Sequence, residues 1–140
     1  MPNGFKIATI ATGPDQDDWN DITTLLSPAG ISSDPDSEFQ EFAGVVELDD
    51  GNLRGTGLPI ASWHWNAISE EARALLRAFC PGLSNSVYIM TNLNDTDSGA
   101  PIWGAFEAVM HWPIEEEKDA GATLGLTIPF TFLEEIGEYL

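Results

Sequence analysis

Positive charge is scarce in this sequence. The 140 residues include 5 lysines and arginines and 23 aspartates and glutamates, which gives a formal net charge of −18 at pH 7. A protein that binds a nucleic-acid duplex needs basic side chains to displace counterions from phosphate. The five basic residues are scattered along the chain: Lys6, Arg54, Arg73, Arg77 and Lys118. The composition argues against tight nucleic-acid binding, and it leaves repulsion of nucleic acid, high solubility or adaptation to high salt as its meaning.

Cysteine and long apolar runs are also lacking. Cys80 is the single cysteine, so no internal disulfide forms, and its place beside the apolar stripe of a predicted helix indicates a buried structural thiol. No apolar run reaches the roughly 18 residues of a membrane span. The first fifteen residues carry one lysine and a short, interrupted apolar run, which is not the pattern of a secretory signal. We expect no membrane span.

The usual catalytic and metal-binding motifs are missing. The two histidines, His64 and His111, have no metal-ligand spacing, and no P-loop, Rossmann fingerprint or nucleophile elbow is present. Residues 92–99 alternate oxygen donors like half of a calcium loop but lack the closing bidentate glutamate, so we favour a plain hairpin loop and leave cation binding open. In a chain with 23 acidic residues some carboxylates are close together by chance, so a pair of them does not indicate a catalytic site. We expect no catalysis, no cofactor and no metal.

The pattern predicts one main helix, at about residues 68–80. Ser69 is a good N-cap, because its hydroxyl can accept an orphan backbone N–H of the first turn. Glu70 and Glu71 follow where the helix dipole favours negative charge. The helix ends at Pro81-Gly82. Four apolar residues form one stripe along it: Ala72, Leu75, Leu76 and Phe79.

Most of the remaining chain has strand patterns. A turn signal at 49–52 joins strands at 38–48 and 53–57, and the strand at 87–91 is expected to pair with 102–112. Residues 121–132 alternate cleanly, and Pro129 among them predicts an edge or a bulge. We expect residues 133–140 to be a short acidic tail with about one helical turn. The sequence predicts a single domain, 1–140, that is mainly β: an antiparallel β-sandwich or barrel with one flanking helix.

The segment 13–37 differs from the rest in being rich in Asp, Pro, Gly and Ser. It is long for a connection inside a compact domain. Its four apolar residues at helix-like spacing need a surface to pack against, so we predict an extended loop or arm that orders on a neighbouring subunit. Together with Trp103, the tryptophan expected to be exposed in the monomer, they are the predicted subunit contacts: Trp19, Ile22, Leu25, Leu26 and Trp103.

Three short motifs resemble the major tail proteins of long-tailed bacteriophages. They are Pro59-x-x-x-Trp63 before the helix, Val87-Tyr88-Ile89-x-Thr91, and the strand ending Val109-Met110-x-Trp112-Pro113, and the resemblance covers roughly residues 58–132. That family is related in fold to the tube proteins of contractile tails and type VI secretion. The resemblance implies a β-sandwich with one flanking helix. It also implies a virion tail tube of stacked homo-oligomeric rings, usually hexameric, made in the host cytoplasm. DNA passes through the lumen without specific binding, and other tail or virion proteins are further partners.

An acidic lumen follows from the same resemblance. Glu41, Glu47 and Glu107 each fall on the less apolar face of a predicted strand, so we expect them to line it. The alternative for these residues is an ordinary outer surface, or a salt bridge to Arg54 or Arg73. Alternatives for the whole protein are a capsid decoration protein, a tail terminator, or a carbohydrate-binding sandwich that uses Trp63, Trp65 and Trp103. An enzyme built on acidic pairs is the remaining class.

Overall fold

The computed structural model describes residues 4–26, 35–93, 103–114, 116–119 and 122–136. Within these ranges the chain forms ten strands and two α-helices. The elements in chain order are β1 Lys6–Thr9, β2 Asn20–Asp21, α1 Ile22–Leu26, β3 Asp36–Gln40, β4 Gly44–Glu47, β5 Leu53–Thr56, β6 Ile60–Ser69, α2 Glu70–Arg77, β7 Ser84–Asn92, β8 Trp103–His111, β9 Glu117–Asp119 and β10 Ala122–Glu135.

Eight of the strands form one antiparallel sheet in the order β2-β1-β7-β8-β10-β6-β3, with β9 beside the start of β10. Strands β4 and β5 pair only with each other, as a separate hairpin. The large sheet curls, so that Phe39 on β3 stacks on Phe106 on β8 with ring centroids 5.9 Å apart. The predicted fold class, mainly β and antiparallel with a flanking helix, is confirmed. The predicted pairing of 87–91 with 102–112 is confirmed as well, by the β7–β8 register from Ser84–His111 to Asn92–Trp103.

The main core lies inside the curl of the sheet. Trp63 on β6 is fully buried there, and its indole Nε1 donates to the Thr91 hydroxyl on β7 at 3.0 Å. Phe5 and Phe130 meet the Trp63 ring edge-on at 5.7 and 4.7 Å. A buried indole N–H needs an acceptor, and Thr91, also fully buried, supplies it inside the apolar core.

Helix α2 covers one side of this core. The Ser69 hydroxyl accepts the backbone N–H of Ala72 at 3.2 Å, which confirms the predicted cap. Ala72 and Leu76 are buried, as the stripe predicted. The helix is shorter than the predicted 68–80, because Ser69 still pairs with Ala122 of β10 and therefore belongs to the sheet.

The segment around α1 corrects one expectation. Trp19 stacks on Tyr88 of β7 at 5.3 Å, and its Nε1 donates to the Gly13 carbonyl at 2.9 Å. Ile22 and Leu26 of α1 are fully buried in the main core. Residues 13–26 thus pack on their own chain, and no neighbouring subunit is needed to bury them. Residues 27–34 of the predicted arm lie outside the described residues.

Strand β10 corrects one further expectation and decides between the two alternatives at Pro129. It continues to Glu135, so the described part of 133–140 is strand and not a helical turn. Pro129 lies within the large sheet and not at its edge. It is accommodated because β10 pairs with β6 at this position, whereas its pairing with β8 begins only at Phe130. The predicted bulge is present after it, between Thr131 and Glu134. There Phe132 has a φ of 53° and is exposed.

Candidate assembly surfaces

The hairpin β4–β5 stands apart from the large sheet. Its turn is closed by a hydrogen bond from the backbone N–H of Leu48 to the Asn52 carbonyl at 2.7 Å. Gly51 takes the positive φ of 87° that the turn requires. The Asp50 carboxylate accepts the backbone N–H of Asn52 at 3.0 Å and its side-chain amide at 2.9 Å. These two hydrogen bonds lower the pKa of Asp50 below its ordinary value. The tip of the hairpin is therefore an ordered, negatively charged turn.

Both faces of this hairpin expose apolar side chains. Val45 and Leu53 lie on one face with exposed fractions of 58% and 70%, while Val46 lies on the other. An isolated two-stranded hairpin is marginally stable in water, and no other part of the described chain buries these side chains. The exposed apolar residues in and beside the hairpin are Phe42, Val45, Val46, Leu48, Leu53 and Leu58. We call residues 42–58 the hairpin arm.

A second apolar surface lies on the body of the protein, where the end of β8 meets the loop before β7. It is a groove with a volume of about 510 Å³. Leu83 and Ile114 form its most exposed walls, with exposed fractions of 69% and 88%. The backbone N–H of Trp112 donates to the Leu83 carbonyl at 3.0 Å and joins the two sides. We call this the Ile114 groove; its apolar lining is Leu83, Trp112, Pro113, Ile114 and Pro129.

Two arginines of α2 lie over the Trp112 ring beside this groove. Arg73 forms a bidentate ion pair with Glu116, at 2.5 Å from Nε to Oε1 and 2.7 Å from Nη2 to Oε2, and this pair raises the pKa of Arg73. The Arg77 guanidinium carbon is 4.8 Å from the ring centroid. Among the described residues no carboxylate lies within ion-pair distance of Arg77, whose Nη2 donates to the Pro81 carbonyl at 3.4 Å. Within the described ranges, Arg77 is thus a cation without an ion-pair partner.

The three predicted lumen carboxylates are all exposed, but they do not come together on one strand face. Glu41 lies in a bend after β3 and not in a strand, because the predicted strand 38–48 is broken into β3 and β4. Glu47 ends β4 in the hairpin arm. Glu107 alone lies on the outer face of the large sheet, directly opposite Tyr88 of β7 and Glu134 of β10. Sequence reasoning missed Glu134, since it assigned that residue to a tail.

The predicted subunit contacts are mostly interior. Trp19, Ile22 and Leu26 are buried in their own chain, which corrects their assignment to a contact with a neighbour. Leu25 is half-buried against the main core. Trp103 is also half-buried, edge-on to Phe5 at 4.9 Å, and not an exposed side chain as predicted.

The tryptophans do not form an exposed platform. Trp63 and Trp65 are buried, as are Trp19 and Trp112, and Trp103 is half-buried. A sugar-binding platform presents the face of an aromatic ring to solvent. Four of the five tryptophans are too buried for that role, and Trp103 is half-buried against Phe5.

The histidine and cysteine side chains, which could act in catalysis or metal binding, occupy structural positions. His64 is hydrogen-bonded to Thr127 at 2.7 Å and to Asn66 at 3.1 Å, and His111 to Thr131 at 2.8 Å. Burial raises the pKa of the Cys80 thiol, which keeps it protonated and unreactive. Among the described residues, no group of three or more His, Cys, Asp or Glu side chains is arranged to hold a metal ion. Most of the 92–99 loop lies outside those residues.

Comparisons with known proteins do not assign a function to this chain. No family model, no curated protein and no solved structure matches the chain. In the part of the chain that the structure describes, no helix is long and apolar enough to cross a membrane. The features that bear on function are therefore the hairpin arm, the Ile114 groove and the outer face of the large sheet with Glu107 and Glu134.

Proposed function

We propose that this protein is a structural subunit of a virion, the tail tube protein of a long-tailed bacteriophage, which assembles into stacked rings of itself. The observation that carries the proposal is the hairpin arm. In the monomer, apolar side chains on both of its faces are exposed: Val45 and Leu53 on one and Val46 on the other. Burial of such side chains is worth roughly 1.5–3 kcal/mol each. Contact with another subunit would supply that burial.

The charge of the protein supports the second half of the proposal, passage of DNA. Two carboxylates, Glu107 and Glu134, face each other on the outer surface of the large sheet. At physiological ionic strength the Debye length is about 8 Å, so their field repels phosphate only at close range. Such a sheet face suits the wall of a channel that DNA passes without sticking. We assign Glu107 and Glu134 to this wall and not Glu41, which lies in the bend before the hairpin arm, or Glu47, which lies in the arm.

The carbohydrate-binding alternative is weaker, because Trp63 and Trp65 are buried and Trp103 is half-buried. Other virion structural proteins, such as a capsid decoration protein or a tail terminator, share the need for a subunit contact. They differ from a tube protein in the assembly that they form, since a tube protein alone continues into stacked rings.

Negative-stain electron microscopy of the concentrated purified protein tests the proposal. Hollow rings and tubes of uniform diameter are the expected result. Closed rings that never stack would favour a terminator. Monodisperse monomers that bind sugars on a glycan array would favour the carbohydrate-binding module and contradict the tail tube.

The lumen assignment has its own test. Tubes assembled from the variant with Glu107→Lys and Glu134→Lys should retain short duplex DNA, measured as nuclease-protected DNA, whereas tubes of the unchanged protein should retain none. Glu71→Lys, at an exposed position on α2, is the matched control for added positive charge. Tubes of the double variant that retain no DNA would show that these residues lie elsewhere on the tube.

A further inference from the structure

One chain carries two apolar surfaces of opposite shape. The hairpin arm projects from the body as a ribbon, and the Ile114 groove is a concavity on the body. The most exposed apolar side chain of the arm is Leu53, and that of the groove is Ile114. A projecting ribbon on one copy and a groove on another are the two halves of a head-to-tail contact.

We propose that the hairpin arm of one copy docks into the Ile114 groove of a second copy. The inference rests on the proposed self-assembly and names the contact by which it occurs. The face of the arm with Val45 and Leu53 enters the groove, since these two residues lie on the same side of the ribbon. The contact is heterologous, so each copy uses its arm on one side and its groove on the other. Repetition closes a ring when the rotation between copies allows it.

Charge favours this pairing over others. Two copies of charge −18 repel over most of their surfaces, so a contact must form where carboxylates are few or are met by a cation. Among the described residues, none that lines the groove is a carboxylate, and Arg77 lies over the ring of Trp112, which is one of the lining residues. The tip of the arm carries three carboxylates: Glu47 at the end of β4, on the same face as Leu53, and Asp49 and Asp50 in the turn. None of them has an ion-pair partner among the described residues.

The closest alternative is an isologous contact, in which the arms of two copies pair with each other. That arrangement would bring the acidic turn of one copy close to the acidic turn of the other, or the Arg54 side chain of one copy close to Arg54 of the other. It would also leave Leu83 and Ile114 uncovered, and Arg77 would still have no ion-pair partner among the residues that the structure describes. Docking of the arm into the groove covers the face of the arm with Val45 and Leu53 and also the groove of every copy, except at the ends of an open assembly.

A pair of complementary variants tests the inference. Leu53→Asp places a charge on the arm, and Ile114→Asp places one in the groove. Both positions are exposed, so circular dichroism and the melting temperature of each variant should match those of the unchanged protein. Each variant alone should associate at least about tenfold more weakly than the unchanged protein, by sedimentation velocity.

The equimolar mixture of the two variants gives the decisive result. The Ile114→Asp copy still has its arm and the Leu53→Asp copy still has its groove, so one contact remains. The mixture should therefore form a 1:1 dimer and nothing larger. Leu53→Cys and Ile114→Cys should form a disulfide with each other only when the two variants are mixed. The unchanged protein, whose one cysteine, Cys80, is buried, serves as the background control.

The outcomes separate this inference from the proposed function. Rings formed by the unchanged protein, with a mixture of variants that stays monomeric, would overturn the docking and leave the tail tube standing. A 1:1 dimer in the mixture, with no rings from the unchanged protein, would support the docking and contradict the tail tube. Full assembly by Ile114→Asp alone, or arm-to-arm cross-linking, would overturn the docking in favour of another contact.

Discussion

The ring of Phe42 occupies the space in which a Cβ atom on Gly55 would stand. Gly55 lies opposite Val45 in the hairpin, so the ring of Phe42 covers the same face of the ribbon that carries Val45 and Leu53. The glycine is needed for this close approach, because any side chain there would overlap the ring. The contact gives the hairpin arm one aromatic anchor of its own and fixes the arm relative to the bend that precedes β4.

Gly55→Ala should displace the Phe42 ring and weaken assembly about tenfold or more, while the unfolding of the core stays nearly unchanged. The reason is that the hairpin belongs to no part of the large sheet. Sedimentation velocity measures the first effect and urea unfolding the second. Gly4→Ala, where the added methyl group meets open space, is the matched control. Equal loss of core stability and assembly would show that the arm is not an independent element.

Glu107→Gln with Glu134→Gln should raise the free energy of unfolding by about 0.2–1 kcal/mol at low ionic strength, because like charges directly opposite in an antiparallel pair repel. The gain should vanish near 1 M salt, where the Debye length is about 3 Å. Urea unfolding at both salt concentrations is the measurement. Glu47→Gln, whose cross-strand partner is Leu53, is the control and should change little. If the double variant shows no gain in the free energy of unfolding at low salt, the two carboxylates do not repel each other measurably.

Trp19→Ala should lower the free energy of unfolding by about 3–5 kcal/mol, the usual loss for a buried aromatic residue truncated to alanine. It removes the stack on Tyr88 within one chain, so the loss should be the same at dilute and concentrated protein. Urea unfolding at two protein concentrations measures it. A loss that appears only in concentrated, assembled protein would restore the original expectation that this segment orders on a neighbour.

Thr91→Val should lower the free energy of unfolding by about 1–3 kcal/mol, although the two side chains are nearly the same shape. It leaves the fully buried Trp63 indole N–H without its acceptor. Thr127→Val removes an exposed hydroxyl bonded to His64 and should change stability by less than about 0.5 kcal/mol. Similar effects for the two variants in urea unfolding would show that the buried hydrogen bond is not a distinct contribution.

Local patterns in the sequence were sufficient to predict the elements that local physics decides. Ser69 and the stripe of α2 identified the helix and its first residue to within two positions. The strand patterns at 87–91 and 102–112 identified the pairing of β7 with β8. Trp19, Ile22 and Leu26 were rightly seen to need a partner surface. Their partner, the Tyr88 side of β7 and the inside of the curl, depends on distant pairing that the sequence pattern does not express.

The candidate surfaces were harder to predict for the same reason. The segment 38–48 looks like one strand, and only the pairing of β3 with β6 shows that the chain leaves the large sheet at Glu41. A signal was present in the adjacent apolar pair Val45-Val46, which no single buried face can use. Glu134 was missed because a bulge after Pro129 carries β10 beyond the last clean alternation. The Ile114 groove joins residues that lie far apart in sequence.

Sedimentation velocity of the unchanged protein, over a range of protein and salt concentrations, tests the central claim most directly. Each copy carries a charge of −18, so salt should screen the repulsion between copies and promote assembly. We predict that monomer converts with rising salt and protein concentration into a discrete ring-sized species and then into larger stacked species. A single monomer boundary under all conditions, from dilute protein in low salt to concentrated protein in high salt, would contradict the account.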